Sequence, residues 1–351
     1  VEVAGGLEVL DVLIEAIKNK KHIVTANKEL LARHGSMLFD LARENMVTIL
    51  YEAAVAGGIP IIMPIKTILK ANDFSFCAGI LNGTTNYILT KMEEDNLSYT
   101  DCLKRAQELG YAETDPTNDV EGYDAMFKIA ILANIVFNER IDVNKIYREG
   151  ITKISAQDIQ TANELGYKIK LIASAKRFDG MLDIRVHPML VDKSKPISEI
   201  KNATNAVCLE GHPVGKIMFT GPGAGEFPTA SSVVGDILAI KSEYDKCDTV
   251  LPMMTCNHKT YAKQVDIEDI INRYYLSIAA SDKPGVIGKL GNLCANHGIN
   301  ISYIIQKGAI SDCEAKIIVI TGDCREKNIN DMVRELEADG TTRVVNRIRV
   351  M

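Results

Sequence analysis

Between Ala106 and Lys128 the chain reads AQELGYAETDPTNDVEGYDAMFK, and Glu113, Asp115, Asp119, Glu121, Asp124 and Lys128 all stand within it. A polar loop could carry such charges merely by facing water. Two features point elsewhere. Asp124 and Lys128 are four apart, so on a helix they share one face. The run that follows, Ile129 to Phe137, is almost wholly apolar, so that helix is buried and turns its charges inward. An ammonium taken out of water gives up a proton more readily, and a carboxylate one turn back would hold it in place. The pair suits proton transfer to a small polar substrate. An ion pair on a helix surface, worth little, is the alternative.

Elements must position these groups. Gly110 can close a helix over 99–109, Pro116 breaks the loop, and the charged helix begins near Gly122. Upstream, VEVAGG reads as a short buried strand, Leu7 to Asn19 as an amphipathic helix, and KHIVTANKELLA as strand, turn and helix with Asn27 near the N-cap. Strand and helix alternating without hairpin signals is the grammar of a parallel α/β sheet. Lys28 then lies at a strand's carboxyl end, where ligands collect in such sheets, although it is also one of 40 basic residues. No G-x-G-x-x-G occurs, so the chain reads as a dinucleotide domain entered midway, N-terminally incomplete.

VTILYEAAVAGGIP is a strand followed by a tight turn at Gly57-Gly58, and Pro60 to Lys70 reads as a helix. LNGTTN supplies Asn82, Thr84, Thr85 and Asn86, which could bind a small amino acid or cap helices equally well. Ser155 starts a helix that Gly166 ends. Lys168–Ala175, Leu182–Leu190, Ala206–Glu210 and Gly215–Phe219 read as strands of a mixed or antiparallel sheet, with His187 a packed structural histidine. Gly221, Gly223 and Gly225 precede a helix over Thr229–Ile240, a loop suited to a phosphate or a nicotinamide, or to close packing alone.

The pattern A-x3-G-Y-A-E-x-D-P-x-x-D-x-x-G-x-D-x3-K, with VTANK, YEAAVAGGIP and GPGAG–TASSVVGDI in order, resembles the signature of the homoserine dehydrogenases. The resemblance implies reduction of L-aspartate 4-semialdehyde to L-homoserine with NADPH or NADH, in threonine, methionine and isoleucine biosynthesis. It assigns cofactor contacts to Thr25, Ala26, Asn27, Lys28 and Gly225. It places Glu113, Asp119 and Asp124 on the substrate, and makes Lys128 the proton donor with Lys28 as second candidate. It also implies a sodium ion on main-chain carbonyls at Glu52, Val55, Gly57 and Ile59. Asn118 departs from the family, standing where some relatives have an acid.

From Arg273 the order βαββαβ, with DKPG at 282–285 and GINI at 298–301, resembles the ACT domain, a regulatory amino-acid-binding module. That likeness makes Asp282 and Asn300 candidate effector contacts and threonine the candidate effector. The expected fold is therefore α/β: a partial Rossmann-type nucleotide-binding domain, an α+β substrate and dimerisation domain, and a C-terminal ferredoxin-like ACT domain. Boundaries are expected at 1–47 for the nucleotide remainder, 48–220 for the catalytic and dimerisation domain, and 221–241 for a helix returning to the first. A linker follows at 242–271 and the ACT domain at 272–351. The rival from another class is a non-catalytic amino-acid sensor carrying an ACT domain.

Composition bounds the rest. With 351 residues, 46% hydrophobic and 25% charged, the chain is globular in type and long enough for two or three domains. A formal charge of −6 without a basic run argues against nucleic acid. No apolar stretch reaches the ~18 residues of a membrane span, and no signal peptide opens the chain. The eight cysteines are scattered without a C-x-x-C, as in a reducing cytoplasm. Cys247, Cys256 and His258 have the wrong spacing for zinc. A homodimer or homotetramer is expected.

Overall fold

The computed structural model describes residues 1–247, 258–311, 314–338 and 340–351; Cys256, weighed above as a metal ligand, lies outside them. The chain opens with α1 (Leu10–Lys18), β1 (Ile23–Val24), α2 (Lys28–Glu44) and β2 (Ile49–Leu50). β1 and β2 are parallel, Ile23 facing Ile49 and Val24 facing Leu50, and all four side chains are buried. The expected strand at VEVAGG is only a bridge: Glu2 pairs with Thr25, while Val1 and Val3 are 74% and 61% exposed. Only Glu2 of this segment pairs with the β1 strand, its N–H donating to the Val24 carbonyl at 2.8 Å and its carbonyl accepting from the Ala26 N–H at 3.0 Å, and the valines on either side stay in water. At α2 the local signal holds. Asn27 accepts from the Leu30 N–H at 3.1 Å, Glu29 sits in the first turn and Arg43 in the last, a cap worth about 1 kcal/mol.

The middle of the chain supplies α3 (Ile62–Lys66), β3 (Asp73–Ile80), α4 (Gly83–Asp95), α5 (Tyr99–Glu108), α6 (Thr117–Val120) and α7 (Tyr123–Phe137). It continues with β4 (Tyr147–Arg148), α8 (Ala156–Glu164), β5 (Tyr167–Phe178), β6 (Met181–Asp192), β7 (Thr204–His212), β8 (Gly215–Pro222) and α9 (Glu226–Cys247). α7 packs on β3, β5 and β6 and also on α2 and α3. A helix enclosed from both sides can be apolar all round, which is why its few charges are conspicuous. α9 returns to the first unit, touching β1 and the turn at Glu52–Ala54. It runs past the expected end at Ile240, because KSEYDKC holds no glycine or proline to stop it.

The last elements are β9 (Ile271–Ser281), α10 (Val286–Asn296), β10 (Ile301–Ser311), β11 (Glu314–Thr321), β12 (Cys324–Arg325), α11 (Glu326–Glu337) and β13 (Thr342–Val350). Their order β10-β11-β9-β13, antiparallel throughout, is the ferredoxin-like arrangement, with its own core of Tyr274, Leu276, Ile278, Leu290, Val319 and Met332. The module is not hung on a free linker. β13 runs parallel to β6, with Arg349 facing Met189 and Val350 facing Leu190. Both halves thereby join one sheet of eleven strands among the described residues, ordered β10-β11-β9-β13-β6-β5-β3-β7-β8 along its main path. Residues 258–265, expected in a linker, are tied down as well. The Arg140 N–H donates to the Thr260 carbonyl and the Leu182 N–H to the Lys263 carbonyl, each at 2.8 Å.

Candidate functional site

Gly122 enters α7 with φ +82°, a left-handed conformation that spares it the strain another residue would carry. A Cβ there would also press on Val186 at 3.2 Å. The helix buries Asp124 and Lys128 in its first turns. Lys128 Nζ donates to Asp124 Oδ2 at 2.7 Å and to the Leu81 carbonyl at 2.8 Å. An ammonium has three N–H donors, so one remains. Lys28 arrives from the first turn of α2, its Nζ 3.5 Å from Asp124 Oδ1. The Asn82 amide donates to Asp119 Oδ1 at 2.6 Å and to Asp124 Oδ2 at 2.9 Å. Thr84 closes the loop above by donating to the Tyr111 carbonyl at 2.6 Å.

The two acids differ in charge. Burial by itself would raise the pKa of Asp124, but Lys128, then Lys28, and the hydrogen bonds from Lys128 and Asn82 outweigh it, so its carboxyl lies below the usual range. Asp119 goes the other way. Burial first, and then the neighbouring Asp124 charge, push it up against the hydrogen bond from Asn82 and the pull of Lys128. One aspartate is thus fixed as an anion while the other sits nearer to taking a proton.

These groups line a cleft of ≈ 760 Å³ that also contains Ala26, Asn27, Lys28, Glu113 and Gly225. Glu113 is exposed on the rim. Thr25 lies behind the wall, fully buried, donating to Glu2 Oε2 at 2.5 Å and accepting from the Asn27 N–H at 3.0 Å. The Asn27 amide in turn donates to the Gly6 carbonyl at 2.7 Å. The two glycine runs meet at the far end. Gly57, at φ +50°, would place a Cβ 2.6 Å from the Gly223 carbonyl oxygen. Only bare backbone fits there. Gly225, at φ +122°, turns the chain into α9.

Around the turn at 52–59 the Glu52 carboxylate is already engaged. It accepts the N–H groups of Ile61, Ile62 and Met63 at 2.5, 2.8 and 2.7 Å, capping α3 from nine residues away. Ser232 donates to the Gly57 carbonyl at 2.7 Å, and Asp236 accepts the Glu52 N–H at 2.9 Å. Asp236 is pushed up to about 7 by its burial, with the Glu52 charge adding to the shift. In the C-terminal module, Asp282 borders a hollow of ≈ 400 Å³ with Gly285, Gln306 and Ile317, and the Gln306 amide donates to it at 3.1 Å. Asn300 is not brought to that hollow. It accepts from the Gly322 N–H at 2.7 Å beside one end of β11, whereas Asp282 follows β9 beside the other end, roughly 20 Å away.

The Leu81 carbonyl and Asn205 have no counterpart among the residues singled out from sequence. Asn205 lies on β7, fully buried, and donates to the Leu81 carbonyl at 3.0 Å, bracing the group that Lys128 also grips. The available signal is a polar residue at an inward position of an otherwise apolar strand.

Parallel α/β unit, lysine–aspartate cleft and βαββαβ module together define a class: a nicotinamide-dependent oxidoreductase carrying a regulatory-type domain. Family models match along the chain: "Homoserine dehydrogenase, NAD binding domain" over 1–52, "Homoserine dehydrogenase" over 60–238 and "ACT domain" over 274–341. The chain belongs to the homoserine dehydrogenase family. It is 42% identical to the homoserine dehydrogenase of Synechocystis, spanning 100% of this chain and 83% of that one. To the homoserine dehydrogenase of Neisseria gonorrhoeae it is 40% identical, over 100% and 82%. The solved structure of a homoserine dehydrogenase from Thiobacillus denitrificans superposes with a TM-score of 0.92 at 37% identity, over 99% and 81% of the two chains. A hyperthermophilic archaeal homoserine dehydrogenase in complex with NADPH matches with a TM-score of 0.60 at 27% identity, over 69% and 71%. The cofactor class is therefore NAD(P), and the non-catalytic sensor finds no support. Among the described residues no helix is long and apolar enough to cross a membrane.

Proposed function

We propose that Lys128 is the proton donor when L-aspartate 4-semialdehyde is reduced to L-homoserine, with Lys28 as its electrostatic partner. The reduced nicotinamide, when bound, supplies the hydride. Ala26, Asn27, Lys28 and Gly225 face it along the cleft, and Thr25 holds their turn from behind. As the carbonyl oxygen gains charge, the third N–H of Lys128 points a proton at it and Lys28 adds a second positive charge. Asp124 holds both ammonium groups, while Asp119 and Glu113 take the substrate's ammonium end. The observation that carries this reading is the convergence of two lysines on one buried aspartate: Lys128 at 2.7 Å and Lys28 at 3.5 Å. The test is homoserine oxidation by Lys128→Ala and Asp124→Ala. Turnover falls by about 10²–10⁴-fold in each, with the Lys128 variant still folded by circular dichroism; near wild-type rates in both defeat the assignment.

The finer assignments have different supports. A sodium ion would sit on the carbonyl oxygens of Glu52, Val55, Gly57 and Ile59. In its favour are a buried turn with left-handed Ala56 and Gly57, an all-oxygen donor set, and two carboxylates close behind. Replacing sodium by a bulky organic cation in the assay tests it. Threonine would bind the hollow at Asp282, with Asn300 entering from a paired copy of the module, and the check is whether threonine inhibits. The outer edge of β8, which ends the sheet path, supports a homodimer or a dimer of dimers. The free thiols Cys77, Cys102, Cys208, Cys294 and Cys324 fit a cytoplasmic enzyme. Domain limits at 1–47, 48–220, 221–241, 242–271 and 272–351 remain our division by function. β13 and residues 258–265 cross them structurally.

A further inference from the structure

We propose that Asn82 is a positioning residue that sets which oxygen of Asp124 faces the substrate and lets a second carboxylate, Asp119, share the cleft. This deepens the function proposed above and rests on it. A primary amide has two N–H donors about 120° apart, and here each holds a different aspartate, at 2.6 and 2.9 Å. The amide cannot turn over. Its oxygen is held by the Thr85 N–H at 2.8 Å and the Thr85 hydroxyl at 2.9 Å, as the N-cap of α4. Asn82 is itself buried, at one wall of the cleft.

The consequence concerns the geometry of Asp124. Its Oδ2 takes both Lys128 and Asn82, which leaves Oδ1, loosely met by Lys28 at 3.5 Å, as the oxygen open to a substrate ammonium or hydroxyl. The carbonyl of the preceding residue, Leu81, holds Lys128 from the other side at 2.8 Å. One short stretch of chain therefore fixes both members of the ion pair. Without the amide, the buried Asp124 and the half-buried Asp119 face each other with one neutral link fewer.

Two substitutions separate cap from donor. Serine and aspartate both serve at an N-cap, but neither offers the two N–H groups, and aspartate adds a third carboxylate. For Asn82→Ser we expect kcat/KM for homoserine to fall about ten- to a hundredfold, as for a lost hydrogen bond to a charged group. The loss should fall mainly in the KM for homoserine, with the KM for the dinucleotide unchanged. The acid limb of the kcat/KM profile should move to higher pH, and further for Asn82→Asp. A role confined to capping would move neither the limb nor that KM selectively. Wild-type limbs and KM values in both variants overturn the proposal, and if the serine variant does not fold, the aspartate variant decides alone. Asp124→Ala assayed beside them distinguishes the two ideas. If it and Lys128→Ala both stay active, the proposed function itself fails; if both are dead while Asn82→Ser is unshifted, only the role of Asn82 fails.

Discussion

Two buried charge clusters in this molecule use the same ingredients to opposite ends. At the seam between β13 and the substrate domain, Arg349 is 1% exposed and Glu326 2%. The guanidinium donates to both Glu326 oxygens at 2.9 and 2.6 Å and to Glu149 at 3.0 Å, and stacks over Tyr147 at 4.7 Å. The Tyr274 hydroxyl donates to Glu326 at 2.6 Å. In the cleft the cations are lysines, one N–H of Lys128 is left over, and the Lys28 side chain is 43% exposed. The seam is a planar fork closed on all sides. The cleft is a pair of point charges open on one. Arginine keeps its proton and locks geometry, whereas lysine can release a proton and rotate its donors, so the choice of cation separates architecture from chemistry.

Exchanging the cations gives the largest effect. Lys128→Arg keeps the charge but places in the cleft a group that does not release a proton, so turnover should fall by about 10²–10⁴-fold. Unchanged rates would mean that Lys128 acts only through its charge. Next comes the seam. Glu326→Ala strands Arg349 without its bidentate partner and should cost about 3–5 kcal/mol in urea unfolding, while Glu326→Leu with Arg349→Met should recover most of it. Acid acts on the same bond. Burial would raise the pKa of Glu326, but Arg349 and the hydrogen bonds outweigh it and hold the carboxyl below its ordinary value. Its contribution is therefore complete above the ordinary carboxylate range and is lost as pH falls through the lower folded value, and Glu326→Ala should flatten that acid slope.

Smaller effects follow at the glycine meeting point and at a cap. In Gly223→Ala the new Cβ runs into the Asn205 side chain, which cannot yield without releasing the Leu81 carbonyl. About 1–3 kcal/mol of stability should be lost, with turnover reduced as Lys128 shifts. Ser155→Ala removes one half of the reciprocal cap that Asp158 completes at α8. It should cost about 1 kcal/mol by thermal unfolding and leave turnover alone.

What could be read from the chain was local in origin. The left-handed Gly122, the Asn27 cap and the apolar run after Asp124 each act within a few residues, so the entry of α7 and its inward charges were legible. Three other features depend on segments far apart. The pairing of β13 with β6 joins residues 160 positions apart through only two facing pairs, and no turn residue records it. The Glu52 carboxylate, read only as one of four carbonyl sites, caps α3 across a turn whose path had to be known first. Asp282 and Asn300 fall in neighbouring motifs, yet α10 carries the chain back along the module and leaves them at opposite ends of β11. Polar composition read 258–265 as linker, although its backbone groups were free to bond to Arg140 and Leu182.

Strand β13 occupies an interior place in the sheet, yet every other strand of that sheet precedes it along the polypeptide. During translation, β9 must therefore emerge with one flank unclaimed, while β6, already paired by β4 and bridged at Leu182 by Gln264, waits for the same late segment only at Met189 and Leu190. A ribosome that stalls before Thr342 leaves the margin of β9 open along most of its length, the kind of species that aggregates or recruits a chaperone.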